Sequence, residues 1–275
     1  MTRWVFVLTV AVVIAAPTGA RAGAWVRDKG EMFVALQYYY YETSRFFDHS
    51  GNSQKRGGKF KKKEINPYIE YGITSQDTLF LNLFYDWLTD NAAEPSSSNS
   101  GLTDVECGWR RLLLQQPPQV LSLQTTVIVP TGYDLDEDPR LGYDRFGMEL
   151  AMFYGRSLQW ADRYGFVEGG VGFRHYFGYP AEQIRSYAML GQDIWEHFQL
   201  LGAAELHYGL NNGSNKNIGT NITVEPNYRL LKVSLGGRLR LRPNCSLVLA
   251  YYRHMWGEDT GAGGGFYGSL WITVK

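Results

Sequence analysis

Past its N-terminal stretch the chain alternates apolar and polar positions in segment after segment. In Phe198 to Tyr208 the even positions read Phe198, Leu200, Gly202, Ala204, Leu206 and Tyr208, while the odd ones include Gln199, Glu205 and His207. Leu79, Leu81, Leu83, Tyr85 and Trp87 alternate with Thr78, Asn82 and Asp86 in the same way. Successive strand side chains point to opposite faces, so each segment carries one apolar and one polar face. Many segments of about ten residues with this alternation, separated by turn residues, are the signature of an antiparallel transmembrane β-barrel.

The pattern predicts an all-β fold of about twelve strands, an even number as single-chain barrels of this kind have. They run over Glu31 to Glu42, Lys62 to Ile73, Asp77 to Leu88, Leu102 to Leu114, Val120 to Thr131, Tyr143 to Leu158, Tyr164 to Phe177, Gln183 to Trp195, Phe198 to Gly209, Tyr228 to Leu241, Ser246 to Trp256 and Gly265 to Lys275. Connections alternate in length. Those at Thr74 to Gln76, Gln115 to Gln119, Gln159 to Arg163, Glu196 to His197 and Arg242 to Cys245 are short. Those at Thr43 to Lys61, Thr89 to Gly101, Gly132 to Gly142 and Leu210 to Asn227 are long. Short turns belong on the periplasmic side and long loops outside.

The N-terminus points to export. Arg3 precedes an apolar run from Trp4 to Ala16, and Ala20-Arg21-Ala22 is a small-x-small cleavage signal, so residues 1–22 are expected to be a signal peptide and 23–275 one barrel domain. The apolar run is shorter than the ~20 residues a membrane-spanning helix needs. Acidic and basic side chains balance to zero net charge, which removes the global basic field that would attract nucleic acid. Two cysteines, Cys107 and Cys245, are too few for a disulfide scaffold.

By parity the lumen receives Glu64, Asn66, Glu70, Asp104, Glu106, Arg110, Arg145, Glu149, Glu168, Arg174, Arg185, Asp193, Lys232, Arg238 and Arg240. Charges at membrane depth must pair or touch water. Two readings follow: a hydrated conduit, or a polar plug whose cross-links stabilise the barrel. A twelve-strand circumference lies between packed eight-stranded barrels and open porins, so size does not decide.

Four stretches carry a family resemblance: Gly23-Ala24-Trp25 with Lys29-Gly30-Glu31, Ile65-Asn66-Pro67-Tyr68-Ile69-Glu70-Tyr71-Gly72-Ile73-Thr74, Gly101-Leu102-Thr103-Asp104-Val105-Glu106, and Thr260-Gly261-Ala262-Gly263. With these the mature chain resembles the XagA-like outer-membrane proteins, which are similar in turn to the barrel family associated with meta-pathway phenol degradation. The resemblance implies a transporter, or a protein connected with surface polysaccharide and biofilm.

Enzymatic and metal motifs fail on inspection. His175, His207 and His254 have no Ser two positions on, where a hydrolase barrel would need one on the same face. Asp134, Asp136 and Asp138 open like a calcium loop, but Pro139 and Arg145 stand where Gly and Glu are required. No enzyme activity and no cofactor are expected. The crowd of Lys55, Arg56, Lys59, Lys61, Lys62 and Lys63 suits lipopolysaccharide phosphates or an acidic glycan, with a solvated loop as the plain alternative. Gly261 to Gly265 reads as a flexible hairpin tip, and Tyr38 to Tyr41 as a girdle whose lumen-facing members could stack on sugar. The expected partners are outer-membrane lipid and lipopolysaccharide, with a small solute or glycan as cargo.

Overall fold

The structure, a computed structural model, describes residues 23–92, 95–160, 162–213 and 226–275. The expected signal peptide and most of the connection from Leu210 to Asn227 lie outside the described residues. The rest forms one closed antiparallel barrel. β1 (Met32–Phe47) pairs with β2 (Ser53–Gly72) on one side and with the final strand, β15 (Gly264–Val274), on the other, from Met32 opposite Val274 to Glu42 opposite Gly264. Two staves are each built of two pieces, β3 (Asp77–Asn82) with β4 (Tyr85–Asp90), and β5 (Ser97–Leu102) with β6 (Val105–Gln116). The others are β7 (Gln119–Val129), β8 (Gly147–Trp160), β9 (Arg163–Tyr176), β10 (Gln183–Trp195), β11 (Phe198–Gly209), β12 (Arg229–Arg242) and β13 (Cys245–Glu258). With the two-residue bridge β14 (Thr260–Gly261) set aside, the wall has twelve staves.

The alternation in sequence becomes alternation in burial. On β13, Leu249, Tyr251 and Met255 are exposed on the outer face while Val248, Ala250, Tyr252 and His254 are buried inside. On β8, Met148, Leu150, Met152 and Tyr154 face outward. Exposed Trp160, Tyr164 and Trp195 ring the end with the short turns, and Phe146 and Phe177 stand at the other end, as membrane-interface aromatics do.

Three departures from the sequence expectation have physical causes. First, Thr43 to Lys61 is no loop: β1 and β2 continue their ladder to Phe47 opposite Ser53, across a bulge between Thr43 and Arg45. Only residues 48–52 turn, so the lysine-rich stretch lies on a strand. Polar on both faces above the apolar belt, it shows no alternation to read, and cross-strand pairs such as Lys59 with Glu42 (2.7 Å) hold it. Second, the third stave breaks at residues 83–84 opposite Pro67. Leu83 N–H donates to the Pro67 carbonyl (3.0 Å), but proline has no N–H to return. The Asn66 side-chain amide replaces it, donating to the Leu83 carbonyl at 2.6 Å. Third, the glycine-rich tip is tied down: Thr260 and Gly261 pair with Phe47 and Phe46, and Ala262 N–H donates to the Arg45 carbonyl. Cys245 begins β13 rather than sitting in a turn, and both cysteines are unpaired.

At the loop end β5 hydrogen-bonds to β4 alone. Residues 130–146 close the seam beside it by side-chain bonds, Thr131 Oγ1 to the Leu102 carbonyl (2.9 Å) and Asn99 Nδ2 to the Pro139 carbonyl (3.0 Å). This connection also folds inward, burying Leu141 against Tyr41, Phe60, Leu88 and Tyr252.

Candidate functional site

The lumen has three levels. Beneath the inward fold of residues 130–146 lies a chamber of about 470 Å³. Tyr39 and Tyr41 enter it from β1, Lys62, Glu64 and Asn66 from β2, Asn82 and Phe84 from the broken stave, Glu205 and His207 from β11, and Lys232, Tyr252 and His254 from β12 and β13. Tyr38 and Tyr40 point the other way; Tyr40 stacks on Phe266 at 5.3 Å. The chamber's lysines are paired with carboxylates, and Arg185 also lines it, 3.8 Å from Glu149. Lys62 holds Glu64 (2.7 Å) and Asp86 (2.8 Å), and Lys232 holds Glu205 (2.7 Å). What remains for a guest is a wall of aromatic faces, with Tyr39 on Tyr267 at 5.0 Å and Tyr41 on His254 at 4.8 Å, beside the linked amides of Gln37, Asn66 and Asn82.

The middle level is a charge cluster. Arg174 reaches Glu106 and Glu149 at 2.7 Å each, and Arg185 stands 3.8 Å from Glu149. His207 takes a 2.9 Å contact from Arg185 and a 3.0 Å contact from Tyr228; His175, on the outer face of β9 opposite Met148, pairs instead with Glu182 at 2.9 Å. Asp104 accepts from Tyr133 (2.6 Å) and Arg145 covers the Tyr179 ring at 4.4 Å, both tying down residues 130–146 or their neighbours.

At the turn end the chain's own N-terminal segment crosses the lumen. Arg27 lies against Phe33 and pairs with Glu70, and its N–H donates to Thr78 Oγ1 (2.7 Å). Trp25 packs on the inward faces of Val120, Ala151 and Phe153, edge-on to Phe166 at 6.0 Å. Ala24 N–H reaches Glu168 at 3.4 Å on the far side. Gly155 is part of this fit, because a Cβ there would stand 2.8 Å from the Trp25 ring and 2.9 Å from Ala24 Cβ. Arg110 binds the segment to the wall, donating to the Trp25 carbonyl (3.2 Å), Glu70 (2.8 Å) and Gln124 (2.8 Å).

The inward charges named from parity therefore serve different levels. Glu64, Asn66 and Lys232 line the chamber; Glu106, Glu149, Arg174 and Arg185 form the middle cluster; Glu70, Arg110 and Glu168 grip the crossing segment. Asp193 and Arg240 pair at 2.6 Å at the turn-end rim, and Arg238 lies over Trp271 at 5.3 Å. Lys232, Arg238 and Arg240 share one strand but have separate partners, Lys232 in Glu205, Arg240 in Asp193 and Arg238 in the Trp271 ring. Trp25, Arg27 and Leu141 were not legible as lumen residues. The one available signal was a tryptophan just ahead of the first strand, a large apolar side chain that a solvated tail seldom carries.

The chain is similar to the COG4313 outer membrane channel from Pseudomonas putida F1, with a TM-score of 0.70 at 14% identity over 91% of this chain and 97% of that one. This is an outer-membrane-type β-barrel fold. The NanC porin (TM-score 0.51, 6% identity, 88% of this chain, 99% of that one) and LpxR from Salmonella typhimurium (0.51, 9%, 88% and 99%) share the barrel more distantly. No protein family and no curated protein matches the chain by sequence.

Proposed function

We propose that this protein is an outer-membrane channel of a Gram-negative bacterium, exported with a cleaved signal peptide, that receives a small polar solute or short saccharide in its aromatic chamber. The reading is supported by one observation above the rest: the segment closing the turn end is not part of the wall. Its ladder-like bonds begin only at Gly30, whose N–H meets the Gly72 carbonyl. Residues 24–27 are held by side chains and can leave without breaking a stave. The likeness to a channel at TM-score 0.70 agrees with this reading. Lysines and carboxylates paired with one another suit an uncharged or zwitterionic guest, with tyrosine faces for stacking and amides for hydroxyl groups.

Planar-bilayer recording tests this. The wild-type barrel should conduct weakly, and a mature chain lacking residues 23–28 should conduct at least several-fold more, while Trp25→Gly falls between. A well-assembled deletion variant that stays silent would leave the alternative, a non-conducting barrel engaged in surface-polysaccharide organisation.

The long connections then face outward, and Lys63, outward-facing between its register neighbours Tyr40 and Trp87, is placed to meet lipopolysaccharide phosphate. A protease applied to intact cells should cut at the exposed turn Asp48–Asn52 and spare the exposed short turn at Glu196–His197. The opposite preference in unbroken cells reverses the orientation.

A further inference from the structure

Glu168 sits on β9 with 3% of its surface exposed, and no ion pair within 4.0 Å joins it to a described side chain. Its neighbours are accounted for: Arg110 on β6 is committed to Glu70 on β2, Arg27 to that same carboxylate, and Tyr187 on β10 offers only a hydroxyl. A carboxylate so placed is costly unless a cation meets it. The first described residue lies against it. A Cβ on Gly23 would stand 2.6 Å and 2.7 Å from the two Glu168 carboxylate oxygens and collide with the Tyr187 hydroxyl, and Gly23 has φ +88°, so only glycine is accommodated. Standard backbone geometry puts the Gly23 nitrogen within about 5 Å of the nearer oxygen.

We propose that the counter-ion of Glu168 is the chain's own α-ammonium at Gly23, released by signal-peptide cleavage after Ala22. Hydrolysis of the Ala22–Gly23 peptide bond consumes one water, leaves the carboxylate on Ala22 and the amine on Gly23, and that amine takes up a proton at neutral pH. The freed nitrogen closes the remaining gap to the carboxylate by a partial turn about the Gly23 Cα–C bond, short of the position that the Tyr187 hydroxyl denies to a Cβ. Processing thus converts a neutral amide into the charge that the buried site lacks, and the lumen-crossing segment becomes anchored at both ends, by Arg27 and by its terminus. The inference rests on the proposed cleavage, and its test separates the two.

Protein purified from outer membranes is first sequenced from its N-terminus. A start other than Gly23 overturns the cleavage reading and this proposal with it. Given a Gly23 start, the folded barrel is pulse-labelled with an amine-acylating reagent between about pH 6 and 9, and modification of Gly23 is compared with that of exposed Lys55. Gly23 should label about ten-fold more slowly in wild type than in Glu168→Gln, with Glu168→Asp restoring part of the protection, and its labelling midpoint should lie above the ordinary α-amino value of about 8. Equal labelling of wild type and Glu168→Gln overturns the pairing. Should Glu168→Gln fail to show the heat-modifiable migration of a folded barrel, the wild-type midpoint decides alone, and an ordinary value overturns the proposal.

Discussion

Glu70→Gln is expected to lower the unfolding free energy by roughly 3 to 5 kcal/mol, the range for removing one partner from a buried ion network. Glu70 has no exposed surface. One carboxylate oxygen takes Arg27, and the other takes Arg110 at 2.8 Å and the Tyr68 hydroxyl at 2.7 Å. Glutamine keeps the shape but turns an amide N–H₂ toward a guanidinium and removes the charge that both arginines share. Lys59→Gln, which breaks an exposed pair with Glu42, should change stability by less than about 1 kcal/mol. Urea titration in detergent, followed by heat-modifiable migration, measures both. If the two variants unfold at the same urea concentration, the buried Glu70 network contributes no more than an exposed ion pair.

The second large effect concerns the outer face. Met152→Arg places a charge at the middle of β8 against hydrocarbon, at a cost of about 2 to 4 kcal/mol, whereas Leu158→Arg, on the same face near the turn end, should cost about 0 to 1 kcal/mol. Both side chains face outward, at 45% and 38% exposure, so depth alone separates them. Folding into vesicles of defined thickness gives the comparison. Equal losses would remove the membrane from the explanation, since a lipid belt has a midplane and a water-exposed wall does not.

How much was legible follows from where the membrane imposes a pattern. Inside the belt every second residue must be apolar, and the strands from β8 to β13 begin and end within a few residues of their sequence reading. Above the belt that constraint lapses, which is why the polar ladder from Thr43 to Lys61 passed for a loop. The break opposite Pro67 was open to reading, because a proline within a strand removes one ladder bond; its repair by the Asn66 amide was not, since that needs the register of three strands. Parity could only sort charges between two faces of a strand: Asp104 and Arg145 stand in connections, where parity does not apply, and the grouping into chamber, cluster and crossing depends on which staves stand opposite one another across the barrel. Trp25 lies outside every strand, where no alternation exists to assign it a side.

The crossing segment also fixes an order of events in folding. Ala24 and Glu168 are 144 positions apart, and Trp25 meets β7 and β8 from a place ahead of β1. Contacts of such long sequence separation are entropically expensive until the intervening chain is already arranged. Hairpins such as β12 with β13 can zip locally; the segment finds its berth only after β2, β6, β8 and β9 surround one space. Substitutions at Trp25 or Arg27 should therefore speed unfolding while leaving the folding rate nearly unchanged, the kinetic mark of a late-formed interaction.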